Sequence, residues 1–239
     1  MLTTKRQSHR RLTASDLGRL RSEIENSTGT RLDKILTSFE MLAGNCDMGI
    51  VQRVFNIEPL SLLRFAGSYA EISIKGLDTD FEGIGQELDP WVSNDGEWMI
   101  HDRYGLNYHT MQSSASVSED QVVHREQTRV PFLKAKLLED LAGTDKVFVA
   151  DRSVGEYIHN IMPLYLALNR KGMHQLLWIV SSRGPENGGL VHEILPGLLC
   201  GYLFQFRRPF VDHISVPGWL EVIVNAWLLR EAIKGHAAQ

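Results

Sequence analysis

The second half of the chain alternates helical and strand-like apolar patterns, and this alternation is the strongest constraint on the fold. Residues 121–142 repeat apolar side chains at helical spacing, and residues 146–150 (KVFVA) form a short apolar run. A second helical segment, residues 155–170, and a second apolar run, residues 175–180, follow. Strands that are apolar on both faces and separated by helices are typical of a parallel sheet covered by helices. We therefore predict an α/β fold, a single domain with a largely parallel central sheet flanked by helices.

The chain before residue 121 has shorter patterns. We assign residues 1–30 to an N-terminal tail and a helix capped by Ser15, and residues 31–235 to the α/β domain. Residues 33–43 predict either a strand or a short helix followed by a strand. Three further predictions for this half are a helix in residues 46–55, a loop with at most one short helix in residues 75–96, and a hairpin in residues 97–109.

The end of the chain gives three more predictions. Pro131 lies inside the first long helical segment, so we expect a kink or a split there. Residues 191–206 are apolar and indicate a helix followed by a strand. Residues 219–233 indicate a closing amphipathic helix, whose Trp219 and Trp227 lie either in the core or on a partner surface.

Charge and cysteine content exclude several classes of protein. The 239 residues carry 25 Lys and Arg against 29 Asp and Glu, a net charge of −4, whereas a dedicated nucleic-acid binder usually has a basic excess. The basic segment 5–11 (KRQSHRR) is either a solvated tail or a peripheral contact with a membrane surface or partner. The apolar stretch that follows the basic residues of a signal peptide is missing after this segment. No apolar stretch in the sequence is long enough to span a bilayer. With only Cys46 and Cys200, we expect reduced thiols and a cytoplasmic location.

The most informative segment for function is the turn around Cys46. An apolar run enters Gly44 and Asn45, and Cys46 then stands at the predicted start of a helix. Backbone N–H groups and the helix dipole at that position stabilise a thiolate, which is the reactive form of a cysteine nucleophile. The same position also suits a bound phosphate. A third interpretation is that Cys46 is a small buried side chain that packs beside the turn.

A thiolate mechanism needs a base, and three histidines are candidates. His109 follows a turn at a strand end, His101 lies next to Asp102 in the same hairpin, and His213 follows Asp212 before the last helix. Each is also compatible with a structural or solvent-exposed role, because histidine is a versatile residue.

Three arginines are candidates for binding the substrate or an anion, together with Asn45 in the cysteine turn. Arg53 lies two helical turns after Cys46, and Arg64 stands inside an apolar run, where a charge needs a partner or a ligand. Arg64 pairs either with an anion or with a nearby carboxylate. Arg152 follows a predicted strand, at the sheet edge where ligands of open α/β sheets bind.

Motifs for metals and cofactors are missing from the sequence. It contains no CxxC, HxxxH, HExxH or GxSxG motif, and its glycines form no P-loop. Asp78 and Asp80 have the DxD spacing, but they lie in a predicted turn. We expect no metal and no cofactor.

Two segments carry a resemblance to a known family. Residues 44–65 (GNCDMGIVQRVFNIEPLSLLRF) resemble the N-terminal signature of an uncharacterised bacterial family labelled papain-like cysteine peptidase, with a turn of Gly-Ser/Asn-x-Cys and a helix that ends in Arg. Residues 104–109 (YGLNYH) resemble its Tyr-Gly-x-x-(Tyr/Phe)-His element. The resemblance covers roughly residues 36–230 and implies Cys46 as nucleophile and His109 as base. It also implies a role in surface-polysaccharide metabolism, because similar proteins often stand in such contexts.

The third catalytic residue stays open at this point, with Asn107, Asp102 and Asp212 as candidates, and we assign Asp102 provisionally. The expected function is a cysteine-dependent hydrolase or acyl transferase acting on a small-molecule, glycan or peptide substrate. One alternative is a glycan-pathway transferase or sugar-phosphate-binding protein in which the arginines hold a phosphate and the cysteine is structural. Another is a non-catalytic protein that binds a partner.

Overall fold

Helices and strands alternate along the computed structural model, which describes residues 12–151, 154–204 and 215–237. The helices are α1 (Ala14–Thr28), α2 (Leu32–Thr37), α3 (Asp47–Val54), α4 (Ala70–Thr79), α5 (Glu119–Ala142), α6 (Ile158–Asn169) and α7 (Val216–Ala237). The strands are β1 (Phe39–Ala43), β2 (Ala66–Gly67), β3 (Leu88–Val92), β4 (Glu97–Asp102), β5 (Asn107–Ser113), β6 (Val147–Ala150), β7 (Gln175–Ser181), β8 (Val191–Leu195) and β9 (Leu198–Leu203).

The central sheet has five strands in the order β1-β6-β7-β9-β8. The first four are parallel, and β8 runs antiparallel at one edge. Strands β6 and β7 are neighbours joined through α6, which is the parallel βαβ unit predicted from the alternating pattern. The predicted α/β fold with a largely parallel sheet is therefore confirmed.

A second, antiparallel sheet of four strands has the order β2-β5-β4-β3. Its β4–β5 hairpin confirms the hairpin predicted for residues 97–109. Strand β3 was expected to be loop; it is an edge strand that contains Pro90, a residue that strands tolerate only at edges or bulges. A single bridge between Gly44 and Ser68 connects the end of β1 to this second sheet.

The central sheet is covered by a hydrophobic core on each face. One core contains residues of α4, α5, α6 and the antiparallel sheet, and the other contains residues of α1, α2, α3 and α7. Trp219 and Trp227 are both buried in the second core, so these two rings form part of the hydrophobic interior.

Several local predictions are corrected by the structure. The apolar residues 191–206 contain no helix within their described part, because a turn with Gly197 at φ 79° folds them into the β8–β9 hairpin. Of the kink or split expected at Pro131, the split does not occur, since helix α5 is continuous through Pro131 with Val130 and Leu133 buried. The N-cap of α1 is Thr13 rather than Ser15, because Thr13 forms a capping box with the residue three positions later.

Two other predictions are confirmed, since residues 33–43 form a short helix followed by a strand and α3 lies within residues 46–55. Within the described ranges, no helix combines the length and the apolar character needed to cross a bilayer. The basic segment 5–11 lies outside the described residues.

Candidate functional site

Cys46 lies where the chain leaves the central sheet and enters a helix. Strand β1 ends at Ala43, and Gly44 exchanges two backbone hydrogen bonds with Ser68, of 2.8 and 2.9 Å. Cys46 is the N-cap residue of α3 and is partly exposed, and it forms no disulfide. The predicted position of Cys46, at the start of a helix, is therefore confirmed, and the structure places it just after the carboxyl end of β1.

A buried carboxylate holds the turn in front of Cys46. The backbone nitrogen of Asn45 donates to Oδ2 of Asp151 over 2.9 Å, and Asp151 is fully buried at the end of β6. Gly44 has φ 130°, and a β-carbon there would collide with the Asp151 carboxylate. Asn45, predicted to bind substrate, thus has its backbone N–H committed to Asp151.

His109 lies on β5 and has a carboxylate partner. Its Nδ1 is 3.0 Å from Oε2 of Glu97, and its backbone N–H donates to the carbonyl of Phe65 over 3.1 Å. The imidazole is about one-third exposed, and the Glu97 side chain is mostly buried. A carboxylate on Nδ1 fixes the ring and leaves Nε2 for proton transfer.

Sequence reasoning missed Glu97. It precedes His109 by 12 residues, and the β4–β5 hairpin brings the two strands together. The hairpin was predicted, but its register was not, and the register decides which carboxylate meets the imidazole. The signal that would have identified Glu97 is a Glu in the first strand of a predicted hairpin whose second strand carries a candidate His.

The last turn of α3 reaches the strand that carries His109 through one side chain, Arg53. Arg53, near the end of α3, places Nη1 3.1 Å from Sδ of Met111 on β5. Its guanidinium carbon also lies 4.1 Å from the centre of the Phe65 ring. Cys46 and Arg53 are two turns apart and share one side of the helix. The helix that begins at Cys46 therefore has its other end fixed beside the His109 strand.

Asp102, assigned provisionally as the third catalytic residue, lies on the opposite face of the antiparallel sheet from His109. His109 pairs with Met99 across the strands, and side chains alternate between faces, so Asp102 points the other way. Its buried carboxylate accepts the backbone N–H groups of Gly85 and Tyr104, over 2.7 and 2.8 Å. Asp102 holds the hairpin turn, and Glu97 occupies the position beside His109.

The arginine candidates are occupied by contacts within the chain or lie outside the described residues. Arg64 is buried, forms an ion pair with Glu58, and donates to the carbonyls of Gly49 and Ile57 over 3.2 and 2.8 Å. Glu58 also accepts a hydrogen bond from Nε of Arg53 over 3.1 Å. Of the two alternatives for Arg64, an anion or a nearby carboxylate, the structure shows the carboxylate, and it is Glu58.

Arg152 and the pair Asp212 and His213 lie outside the described residues. His101 is exposed and its Nδ1 lies 2.8 Å from Oδ1 of Asn107. That pair occupies the same sheet face as His109. Met99 is the cross-strand partner of His109, and His101 lies two residues after Met99 on β4.

The DxD pair is part of a contact between two helices. Asp78 forms an ion pair of 2.6 Å with Arg170, and Asp80 forms one of 2.6 Å with Lys171. These pairs join the end of α4 to the end of α6. A search of the described part of the chain found no group of three or more His, Cys, Asp or Glu side chains that could hold a metal ion.

Comparisons with protein-family models, with curated proteins and with solved structures found no match. The resemblance of residues 44–65 and 104–109 to a papain-like cysteine peptidase family therefore rests on those residues alone.

Proposed function

We propose that this protein is a cysteine-dependent hydrolase or acyl transferase, with Cys46 as the nucleophile and His109 as the general base. The observation that carries the proposal is the hydrogen bond between His109 and Glu97, on a strand that the last turn of the Cys46 helix contacts through Arg53. A nucleophile, a base and a carboxylate that orients the base are the three groups that such catalysis requires.

The position of Cys46 supports its role as the nucleophile. The first backbone N–H groups of α3 have no partner within the helix, and the helix dipole adds positive potential at the same point. Both effects favour a thiolate over a thiol. The same N–H groups are suited to stabilise the oxyanion that forms when a carbonyl is attacked.

The proposed reaction has two steps, formation of a thioester and its hydrolysis. The Cys46 thiolate attacks the substrate carbonyl carbon, and protonated His109 donates its proton to the departing alcohol or amine, which leaves a thioester on Sγ. His109 Nε2 then takes a proton from water, and the hydroxide attacks the thioester and releases a carboxylic acid and the thiolate. An alcohol or amine in place of water gives acyl transfer.

Esters and amides are the substrate class that follows from this chemistry. The family resemblance extends the proposal to peptides and to acyl groups on surface polysaccharides. The alternative of a sugar-phosphate site at the arginines is less favoured, because the Arg64 guanidinium is buried and already bonded to one carboxylate and two carbonyls.

An activated ester tests the proposal without knowledge of the natural substrate. We expect p-nitrophenyl acetate to acetylate Cys46, as identified by peptide mass spectrometry, and to turn over. Replacing Cys46 by Ala should abolish the adduct, and replacing His109 by Gln should slow turnover by about 100-fold or more. Cys200→Ala, at the buried second cysteine, is the matched control and should leave the rate unchanged. Wild-type turnover in Cys46→Ala would refute the proposal.

A further inference from the structure

The backbone of Met111 has an unusual conformation for its place in a strand. Its φ is 61°, in the left-handed region that non-glycine residues rarely adopt, and Met111 lies inside β5. The other non-glycine residues with positive φ in the described ranges, Asn56, Asp80 and Phe81, stand next to helix ends rather than inside a strand. Strain of this kind persists only where the surroundings enforce it.

The strain coincides with a bulge between β4 and β5. Glu97 pairs with Ser113 and Met99 pairs with His109, so two steps along β4 correspond to four steps along β5. The additional residues on β5 include Met111. A bulge of this kind turns backbone groups out of the regular ladder and redirects nearby side chains.

The redirected N–H group meets the carboxylate beside the histidine. The Met111 nitrogen donates to Oε1 of Glu97 over 2.8 Å, while Oε2 of the same carboxylate lies 3.0 Å from Nδ1 of His109. Both oxygens of Glu97 are therefore engaged, one by the strained residue and one by the imidazole.

The Met111 side chain contacts the other half of the site. Sδ lies 3.1 Å from Nη1 of Arg53, on the helix that begins at Cys46. The side chain of Met111 is 42% exposed, so burial in a core does not explain its position. One residue thus contacts both the carboxylate that orients His109 and the helix that carries Cys46.

We propose that Met111 is a positioning residue, whose left-handed backbone holds Glu97 against His109 while its side chain contacts the Cys46 helix. The inference deepens the proposed function and rests on it for its catalytic meaning. The geometric part, that Met111 fixes the imidazole through Glu97, stands independently of whether Cys46 reacts.

Two substitutions at Met111 separate the role of its backbone N–H group from the role of its side chain. Met111→Gly keeps the N–H and accepts φ 61° without strain, whereas Met111→Val disfavours this conformation and should withdraw the N–H from Glu97. Met173→Val, at a fully exposed methionine outside the site, is the matched control. Glu97→Ala removes the carboxylate itself and defines the effect of its loss.

The readout is the tautomer of neutral His109, measured by ¹⁵N NMR at about pH 8. In the wild type and in Met111→Gly we expect the proton on Nδ1, facing Glu97. In Met111→Val and Glu97→Ala we expect a mixture of both tautomers, and alkylation of Cys46 by iodoacetamide should be about tenfold slower in both variants. Met173→Val should match the wild type.

An unchanged His109 tautomer in Met111→Val would overturn the inference. A tautomer that changes as expected in a protein whose Cys46 is unreactive would instead leave the positioning role standing and overturn the proposed function. The two failures are therefore distinguishable in one set of samples.

Discussion

The backbone nitrogen of Asn45 donates a 2.9 Å hydrogen bond to Oδ2 of Asp151, although 106 residues separate them in the sequence. This bond joins the end of β1 to the end of β6, directly before Cys46. The position of the candidate nucleophile therefore depends on a contact between two distant parts of the chain.

We predict that Asp151→Ala destabilises the protein by about 1–3 kcal/mol, because it removes a buried acceptor from the Asn45 N–H. Equilibrium unfolding in urea measures the change. Asp89→Ala, at an exposed aspartate of β3, is the control and should stay within about 0.5 kcal/mol of the wild type. Equal stability of both variants would show that Asp151 does not hold the turn.

Two glycine substitutions should act in opposite directions. Gly44→Ala should cost about 1–3 kcal/mol, because φ is 130° and the new β-carbon would meet the Asp151 carboxylate and the Met41 methyl group. Gly18→Ala should stabilise by about 0.5–1 kcal/mol, since Gly18 lies on the exposed side of α1 with open space around it. Thermal unfolding of both variants checks the signs, and a tolerated Gly44→Ala would contradict the close approach.

Glu40 should make stability depend on pH. Burial, with a smaller contribution from Asp140 of α5, raises the pKa of Glu40 from 4.5 to about 8, although Lys146 opposes the shift. Glu40 also lines a cavity of about 10 Å³ together with Ser61 and Arg64. The folded protein therefore retains a proton that the unfolded chain releases, so this residue's contribution to stability falls as pH rises from 4.5 towards 8.

Glu40→Gln cannot ionise and should remove this dependence. We expect the variant to gain on the order of 2 kcal/mol relative to the wild type between pH 5 and pH 8, measured by urea unfolding at both values. Glu82→Gln, at an exposed position, should show no such gain. A constant difference between Glu40→Gln and the wild type across this range would contradict the prediction.

The candidate nucleophile and base were predictable from the sequence for local reasons. An apolar run followed by Gly44 and Asn45 is a local signal for a strand that turns into a helix, and it placed Cys46 at the helix start. The hairpin pattern likewise placed His109 near a strand end. Both positions follow from local patterns, whereas the catalytic roles of Cys46 and His109, which come from the family resemblance, stay predictions.

The remaining parts of the site depend on register and could not be predicted. Asp102 lies on the opposite sheet face from His109, and the bulge in β5 sets how Glu97 meets the imidazole; a bulge leaves almost no trace in hydrophobic alternation. Arg64 was recognised as a charge that needs a partner, but only the folded chain selects Glu58 for it. Strand β3 was missed because Pro90 and exposed side chains give it the composition of a loop.

The rate of alkylation of Cys46 by iodoacetamide, followed by peptide mass spectrometry between pH 6 and pH 9, tests the central claim most directly. Cys200 is the reference within the same molecule, because it is buried and burial raises the pKa of its thiol. We predict rapid modification of Cys46 at pH 6.5, a rate at least about tenfold lower in His109→Gln, and modification of Cys200 only after unfolding. A Cys46 that is as inert as Cys200 at neutral pH, or that reacts equally fast without His109, would contradict the account.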